Sequence, residues 1–342
     1  MICCQFSPKC FVFFIRVILQ APARSDKFKN LSLVESNYNN SRGVSYTAGF
    51  FMLIGLAILG LVIASVIGGG ILLASAGGNA ESMKDALNDP KNANMLRIIQ
   101  AGSVILGMII PALITAYILD RKPLQLLGFR KEVAISQIML VVAIMFTSLF
   151  VAGALGYLNK DIAQAFGMGN WAEQLEKTYN EQAALMLDTK GIGGYLISLF
   201  VMGLLPAISE EMLFRGGLQN YLTRATKNPW LSIIVVSILF SIVHFSVYGF
   251  LVRFFLGIVL GYIFYATGNL WLSITAHFFN NALIVSSIFF MTSQGTSMKE
   301  AMTKEVSATY WGFLALPVII WLFAVLLKNA NKEPSLNHNH GI

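Results

Sequence analysis

The chain has 342 residues, of which 56% are apolar and only 12% charged, against about a quarter charged in an ordinary soluble domain. So little charge cannot coat a water-facing surface, and several apolar runs approach or exceed the roughly 20 residues that a helix needs to cross about 30 Å of hydrocarbon. A soluble fold is excluded, and the net charge of +7, from 24 Lys+Arg against 17 Asp+Glu, reads as a topology signal beside a membrane and not as a nucleic-acid footprint.

Spanning segments must satisfy their own backbone hydrogen bonds, and the runs lack the ten-residue alternation of an outer-membrane barrel. The expected fold class is therefore all-α, a polytopic membrane protein with about eight transmembrane helices. The expected surroundings are the lipid bilayer, with no nucleic-acid partner.

Residues 1 to 45 read as an N-terminal cytoplasmic or interfacial tail. Its apolar stretch from Cys10 to Leu19 is interrupted by Arg16, which spoils the uniform core of a signal peptide. Cys3, Cys4 and Cys10 are the three cysteines. They supply neither a disulfide framework nor a CxxC metal site, and lipidation of Cys3 or Cys4 is the alternative to plain thiols.

Eight spans follow, at approximately 46–75, 97–119, 133–157, 192–222, 231–248, 251–267, 269–291 and 310–328. Pro206 lacks an N–H and clashes with the carbonyl four residues back, so a kink is expected in the fourth span, its second half forming a separate helix. The link from Asn159 to Lys190 carries Trp171, Leu175, Tyr179, Gln182 and Met186 at helical spacing with charges between them, which predicts a plain interfacial helix rather than a gate. The organisation is thus a tail (1–45), N-terminal spans with the interfacial helix (46–190), a motif-bearing region (191–292), and a last span with a short polar tail (293–342). His338 and His340 fall in that tail and are given no role.

Counting Lys and Arg by loop places 15 on the side of the N-terminus and 9 on the other. Because cations mark the cytoplasmic side, both termini are expected in the cytoplasm. Short loops without appended domains point to a prokaryotic plasma membrane.

An ionisable side chain inside a span is expensive, so it is a functional hypothesis by default. The fourth span ends Ser209-Glu210-Glu211-Met212-Leu213-Phe214-Arg215. Glu211 and Arg215 are four apart and share a helix face, so each neutralises the other, whereas Glu210 points to an adjacent face. One carboxylate would be enough for an ion pair. The second is free to act as a general base, unless both acids are merely solvated at the interface.

Two further histidines decide between these readings. His244 follows Phe240-Ser241-Ile242-Val243 in the fifth span, and His277 opens His277-Phe278-Phe279-Asn280-Asn281 in the seventh. A single buried histidine packs more often than it reacts, but two of them beside a Glu-Glu pair are less easily dismissed. Counted from the cytoplasmic ends at about 1.5 Å per residue, Glu210, His244 and His277 lie roughly 18, 20 and 12 Å deep, so one cavity could hold all three.

Glu210-Glu211-x-x-x-Arg215, Phe240-x-x-x-His244 and His277-x-x-x-Asn281 resemble the three ordered motifs of the CPBP family, the CAAX-protease and bacteriocin-processing intramembrane endopeptidases also called the Abi family. The resemblance covers about residues 192 to 291. It implies peptide-bond hydrolysis in a cavity lined by a conical core of motif-bearing helices, acting on a membrane-associated protein or peptide. Carried over by residue, Glu210 would activate water and His244 would position it. His277 and Asn281 would donate to the oxyanion, and Glu211 with Arg215 would hold the site in shape. Phe240 would pack beside His244, and Asn280 would pack or cap.

Other intramembrane protease types fit poorly. No helix carries Gly-x-Ser-Gly, no pair of intramembrane Asp is found, and both span histidines are followed by Phe, so His-Glu-x-x-His is absent. The family has been labelled both glutamic and zinc-dependent. The spans hold no His pair at i, i+4, so no cofactor is expected, with zinc as the alternative. Two rival readings remain open: a transporter using the same residues as a proton relay, and a non-catalytic immunity or scaffold protein.

Overall fold

Why the chain turns where it does follows from its prolines, asparagines and glycines. In the computed structural model, which describes residues 42–187, 191–303 and 310–330, the regular structure is helical, and no strand occurs among the described residues. Nine helices carry the argument: α1 (Tyr46–Ser75), α2 (Pro90–Leu119), α3 (Ile135–Ala165), α4 (Gly169–Met186), α5 (Gly191–Thr226), α6 (Pro229–Ile242), α7 (Phe250–Thr267), α8 (Leu270–Ser293) and α9 (Tyr310–Asn329). Among the described residues, seven of these are long and apolar enough to cross a membrane; α6 is apolar but shorter, and α4 is polar. Large apolar side chains such as Val66, Phe146 and Trp321 face outward, as a lipid-facing surface requires. The protein is a multi-pass membrane protein. The tail before residue 42, with Cys3, Cys4 and Cys10, and the end of the chain with His338 and His340 lie outside the described residues.

Ser45 caps α1 by accepting from the Ala48 amide (3.1 Å). Asn228 and Asn269 do the same for α6 and α8, accepting from Leu231 and Trp271 (3.1 Å each). Such caps satisfy amides that the first helical turn leaves orphaned.

The expected break at Pro206 is absent. The segment Gly191–Thr226 is one continuous helix that widens to π pattern over Leu199–Leu204, immediately before the proline, so that the Leu205 amide reaches back to Phe200. Pro111 in α2 has the same device, a π stretch over Ile105–Ile109 with the Ile110 amide on the Ile105 carbonyl. An extra residue per turn moves the carbonyl that the ring would strike, so the helix absorbs the proline instead of breaking.

The fifth span does need correction. A helix was expected over 231–248, but α6 ends at Ile242 and His244 lies beyond it. The reason is local: Phe245 takes a left-handed φ of 49°, which an α-helix cannot contain. At about 1.5 Å per residue α6 is roughly 21 Å long, short of the hydrocarbon thickness.

Two apolar cores meet on α7 and α8. One joins Leu53 of α1, Ala116 of α2, Met212 and Phe214 of α5, Phe240 of α6, Phe264 of α7 and Ile274 of α8. The other joins Ile144 of α3, Leu260 of α7, Ala276 of α8 and Leu326 of α9. The polar residues of α5 lie where α6, α7 and α8 converge.

The approach of α1 to α2 is backbone-close at Gly60, where a Cβ would strike the Leu106 carbonyl, whereas Gly55 on the same helix faces open space. Gly60→Val should lower the stability of the detergent-solubilised protein by about 1–3 kcal/mol, the usual penalty of overpacking, and Gly55→Ala should leave it unchanged. Thermal unfolding of both variants measures the difference.

Candidate active site

The site grows from one turn of α5. Glu210 closes a regular α stretch, Leu205–Glu210, and Glu211 opens a nine-residue π stretch that runs to Gln219. π insertions of this kind are frequent at functional sites, because they re-aim successive side chains. Adjacent carboxylates thereby enter different surroundings.

Glu211 and Arg215 are enclosed, with side-chain exposures of 0% and 1%, and Arg215 Nη1 donates to Glu211 Oε1 at 2.8 Å. The same oxygen accepts from His277 Nδ1 at 2.9 Å. Arg215 Nη2 donates to the Gly257 carbonyl of α7 (3.3 Å), and its guanidinium lies over the Phe240 ring, 4.6 Å from the centroid. One turn along, Gln219 Nε2 donates to the Gly261 carbonyl at 2.8 Å. Gly261 admits this close crossing, since a Cβ there would meet Gln219 Oε1 at 2.7 Å. Gln219, Gly257 and Gly261 have no place among the residues proposed from sequence. Their signal was present as a pair of glycines four apart, the spacing that lets helices approach closely in membranes.

Glu210 has a different fate. Its Oε2 is buried and has no hydrogen-bond partner among the described residues. It faces His277 Nε2 at 3.7 Å and His244 Nε2 at 3.9 Å. The opposite nitrogens of both rings are engaged: His244 Nδ1 lies 2.7 Å from the Phe240 carbonyl, and His277 Nδ1 lies against Glu211. A carbonyl and an ionised carboxylate only accept, so each Nδ1 carries the hydrogen, and each neutral Nε2 presents a lone pair. Three acceptors therefore converge without a donor between them. Such a group is stable only with a water or a proton in its midst.

Phe240 is the apolar wall of this arrangement. Its ring centroid lies 4.8 Å from that of His244, 6.0 Å from His277 and 5.2 Å from Phe214. It packs beside His244, as expected, and carries Arg215 as well.

Five of the six residues singled out from sequence, Glu210, Glu211, Arg215, His244 and His277, thus come together. Asn281 lies one turn beyond His277 on α8. Its Nδ2 makes a long bond to the Gly203 carbonyl (3.4 Å), and its Oδ1 accepts from Asn280 Nδ2 (3.0 Å). Asn280, expected only to pack or cap, therefore fixes which way the Asn281 amide points.

The fit of a metal can be tested on these donors. Around tetrahedral zinc, with bonds of about 2.0–2.2 Å, neighbouring ligand atoms lie roughly 3.3–3.6 Å apart. The two Nε2···Oε2 separations, 3.9 and 3.7 Å, lie just above that range, and no group of three His, Cys, Asp or Glu able to hold a metal ion occurs among the described residues.

Comparisons with curated proteins and with solved structures give no match. Residues 192–283 match the family model described as "Type II CAAX prenyl endopeptidase Rce1-like".

The buried ion pair yields a prediction. Glu211→Gln leaves the Arg215 charge enclosed without its counter-charge, and breaking such a pair costs about 3–5 kcal/mol. Glu210→Gln removes no hydrogen bond to the protein. Thermal unfolding in detergent should show a marked loss for Glu211→Gln and near wild-type stability for Glu210→Gln; equal losses would refute this division.

The family-model match runs from α5 into α8 and takes in every residue of the cluster, so over this segment the chain is similar to the CPBP/CAAX protease family.

Proposed function

We propose that the protein is an intramembrane endopeptidase in which Glu210 and His244 activate a water for attack on a peptide bond of a membrane-associated protein or peptide. The observation that carries this reading is the buried, unpartnered Glu210 Oε2 facing two imidazole Nε2 atoms. A water held there donates one hydrogen to Glu210 and is oriented by His244. As its oxygen attacks the substrate carbonyl, the proton passes to Glu210, which delivers it to the departing amine. Charge develops on the carbonyl oxygen. His277 faces that position with Nε2, its other nitrogen held by Glu211, and donates to the oxyanion once Nε2 has taken up a proton from solvent, the proton that the converging acceptors call for. Asn281 supports this role because its oxygen is taken by Asn280, leaving the NH2 edge to donate.

The mechanism is metal-free in this reading, supported by donor spacings just above the range of tetrahedral zinc. The cation bias of the loops supports cytoplasmic termini in a prokaryotic plasma membrane. The matched family is described as acting on prenylated CAAX ends, so the first probe is a farnesylated peptide with three residues after the cysteine, beside the same peptide without the lipid. Cleavage of both would assign a broader substrate class than prenylated ends.

Glu210→Gln should abolish cleavage, at least about 1,000-fold, with membrane insertion unchanged. General-base loss alone accounts for about 10²–10⁴. Retained activity in that variant would refute the mechanism. Incubation with a zinc chelator should leave the wild type active; inactivation reversed by added zinc would overturn the metal-free assignment.

A further inference from the structure

His244 differs from the other groups of the site in what holds it. Glu210 and Glu211 ride on α5 and His277 on α8, each within a continuous helix. His244 sits on the segment 243–249 between α6 and α7, where Phe245 is left-handed. Its ring is tied to the Phe240 carbonyl, and its backbone hangs from the end of α6 by two short turns, the His244 amide on the Ser241 carbonyl (3.4 Å) and the Phe245 amide on the Ile242 carbonyl (3.0 Å), beyond which the helical ladder stops. Irregular backbone at membrane depth persists only where protein or an aqueous cavity satisfies it.

Three elements supply that satisfaction. Ser241 Oγ donates to the Phe250 carbonyl (2.6 Å), closing the neck of the segment. Asn159 of α3 donates its Nδ2 to the Val247 carbonyl. The third element is α4, the helix expected to be plainly interfacial. Glu176 Oε1 accepts from Ser246 Oγ and from the Tyr248 backbone amide (3.2 Å), and Tyr248 donates its hydroxyl to the Gly169 carbonyl (3.2 Å) at the start of α4. Ser246 Oγ in turn accepts from the Gly249 amide at 2.9 Å. Alongside, the Arg253 guanidinium of α7 lies over the Tyr179 ring of α4, 5.2 Å from its centroid.

A helix that only floats at the interface turns its carboxylates to water. Glu176 instead serves two donors on the segment that bears His244, and bonds to an ionised acceptor are the stronger kind. Ser246 and Tyr248 lie two and four residues beyond His244, so their anchoring fixes where the segment leaves the site.

We propose that Glu176 is a positioning residue for the reaction: through Ser246 and Tyr248 it holds the 243–249 segment so that His244 Nε2 stays on Glu210. The proposal rests on the protease reading above and gives α4 a task in the chemistry. Small displacements of a catalytic group are expensive, a shift of about 1 Å being able to reduce the rate about 100-fold.

The test uses the full chain in proteoliposomes, with Glu176→Ala and Glu176→Gln, the latter retaining an oxygen acceptor. Amide hydrogen exchange is followed over 243–249, and kcat and KM are measured on the farnesylated peptide. Glu176→Ala should speed exchange at Tyr248 and Gly249 about 10-fold or more, with α5 and α8 still protected. Its kcat should fall about 10- to 100-fold with KM within about twofold, and Glu176→Gln should recover most of the loss. Unchanged exchange over 243–249 in Glu176→Ala would overturn the proposal, as would protection lost equally across α5 and α8. Wild-type turnover that does not depend on Glu210 would defeat the protease reading instead, and the exchange measurement would still decide whether Glu176 holds the segment.

Discussion

Glu211 and Arg215 place two opposite charges, one turn apart, where almost no solvent reaches them. A pair in that position is tolerated only if its remaining hydrogen-bonding capacity is used, because desolvating two ions offsets most of their attraction. The surrounding helices meet much of that requirement, leaving Glu211 Oε2 and Arg215 Nε without a partner among the described residues. Arg215 reaches the Gly257 carbonyl of α7 and the Phe240 ring of α6, while Glu211 receives His277 of α8. The arrangement of three helices around α5 thus answers one electrostatic problem, and His277 is oriented as part of that answer.

The same constraint separates two neighbouring carboxylates. Successive residues on a helix point about 100° apart, so only one of Glu210 and Glu211 can join the ion pair. Glu211 Oε1 takes both donors, Arg215 Nη1 and His277 Nδ1, while its Oε2 has none among the described residues. Glu210 is left with an oxygen that no described residue satisfies, directed at two imidazole lone pairs. Identical side chains acquire different surroundings, one joining the helices and the other facing two imidazoles, because of the facing elements and not because of the residues themselves.

Much of this was legible in the sequence, and the parts that were not have physical reasons. Charge scarcity and apolar run length disclose the spans, since the bilayer reads composition directly. The i, i+4 spacing of Glu211 and Arg215 discloses their pairing. The end of α6 was not legible, because the run Ile242-Val243-His244-Phe245 is as apolar as the helix before it, and only the backbone reversal at Phe245 stops the helix. Pro206 misled for the opposite reason: a strong local breaker was absorbed by a π widening that no side-chain pattern announces. The bonds from Glu176 and Asn159 to the 243–249 segment span 70 and 88 residues of sequence, a separation at which spacing carries no information.

The short α6 has a meaning beyond topology. A peptide bond inside a helix is shielded by its own hydrogen bonds, so a substrate must present extended, unsatisfied backbone to be attacked. A bilayer offers nothing to such a backbone. An enzyme that accepts it at membrane depth needs irregular, hydrogen-bonding structure of its own there, together with room for water. A full-length helix carrying His244 would have been easier to insert but would have sealed that region with saturated backbone. Ending α6 at Ile242 avoids that seal, and the polar clasps from α3 and α4 satisfy the irregular backbone at Ser246, Val247 and Tyr248. On the protease reading proposed above, His244 lies off a helix for that reason.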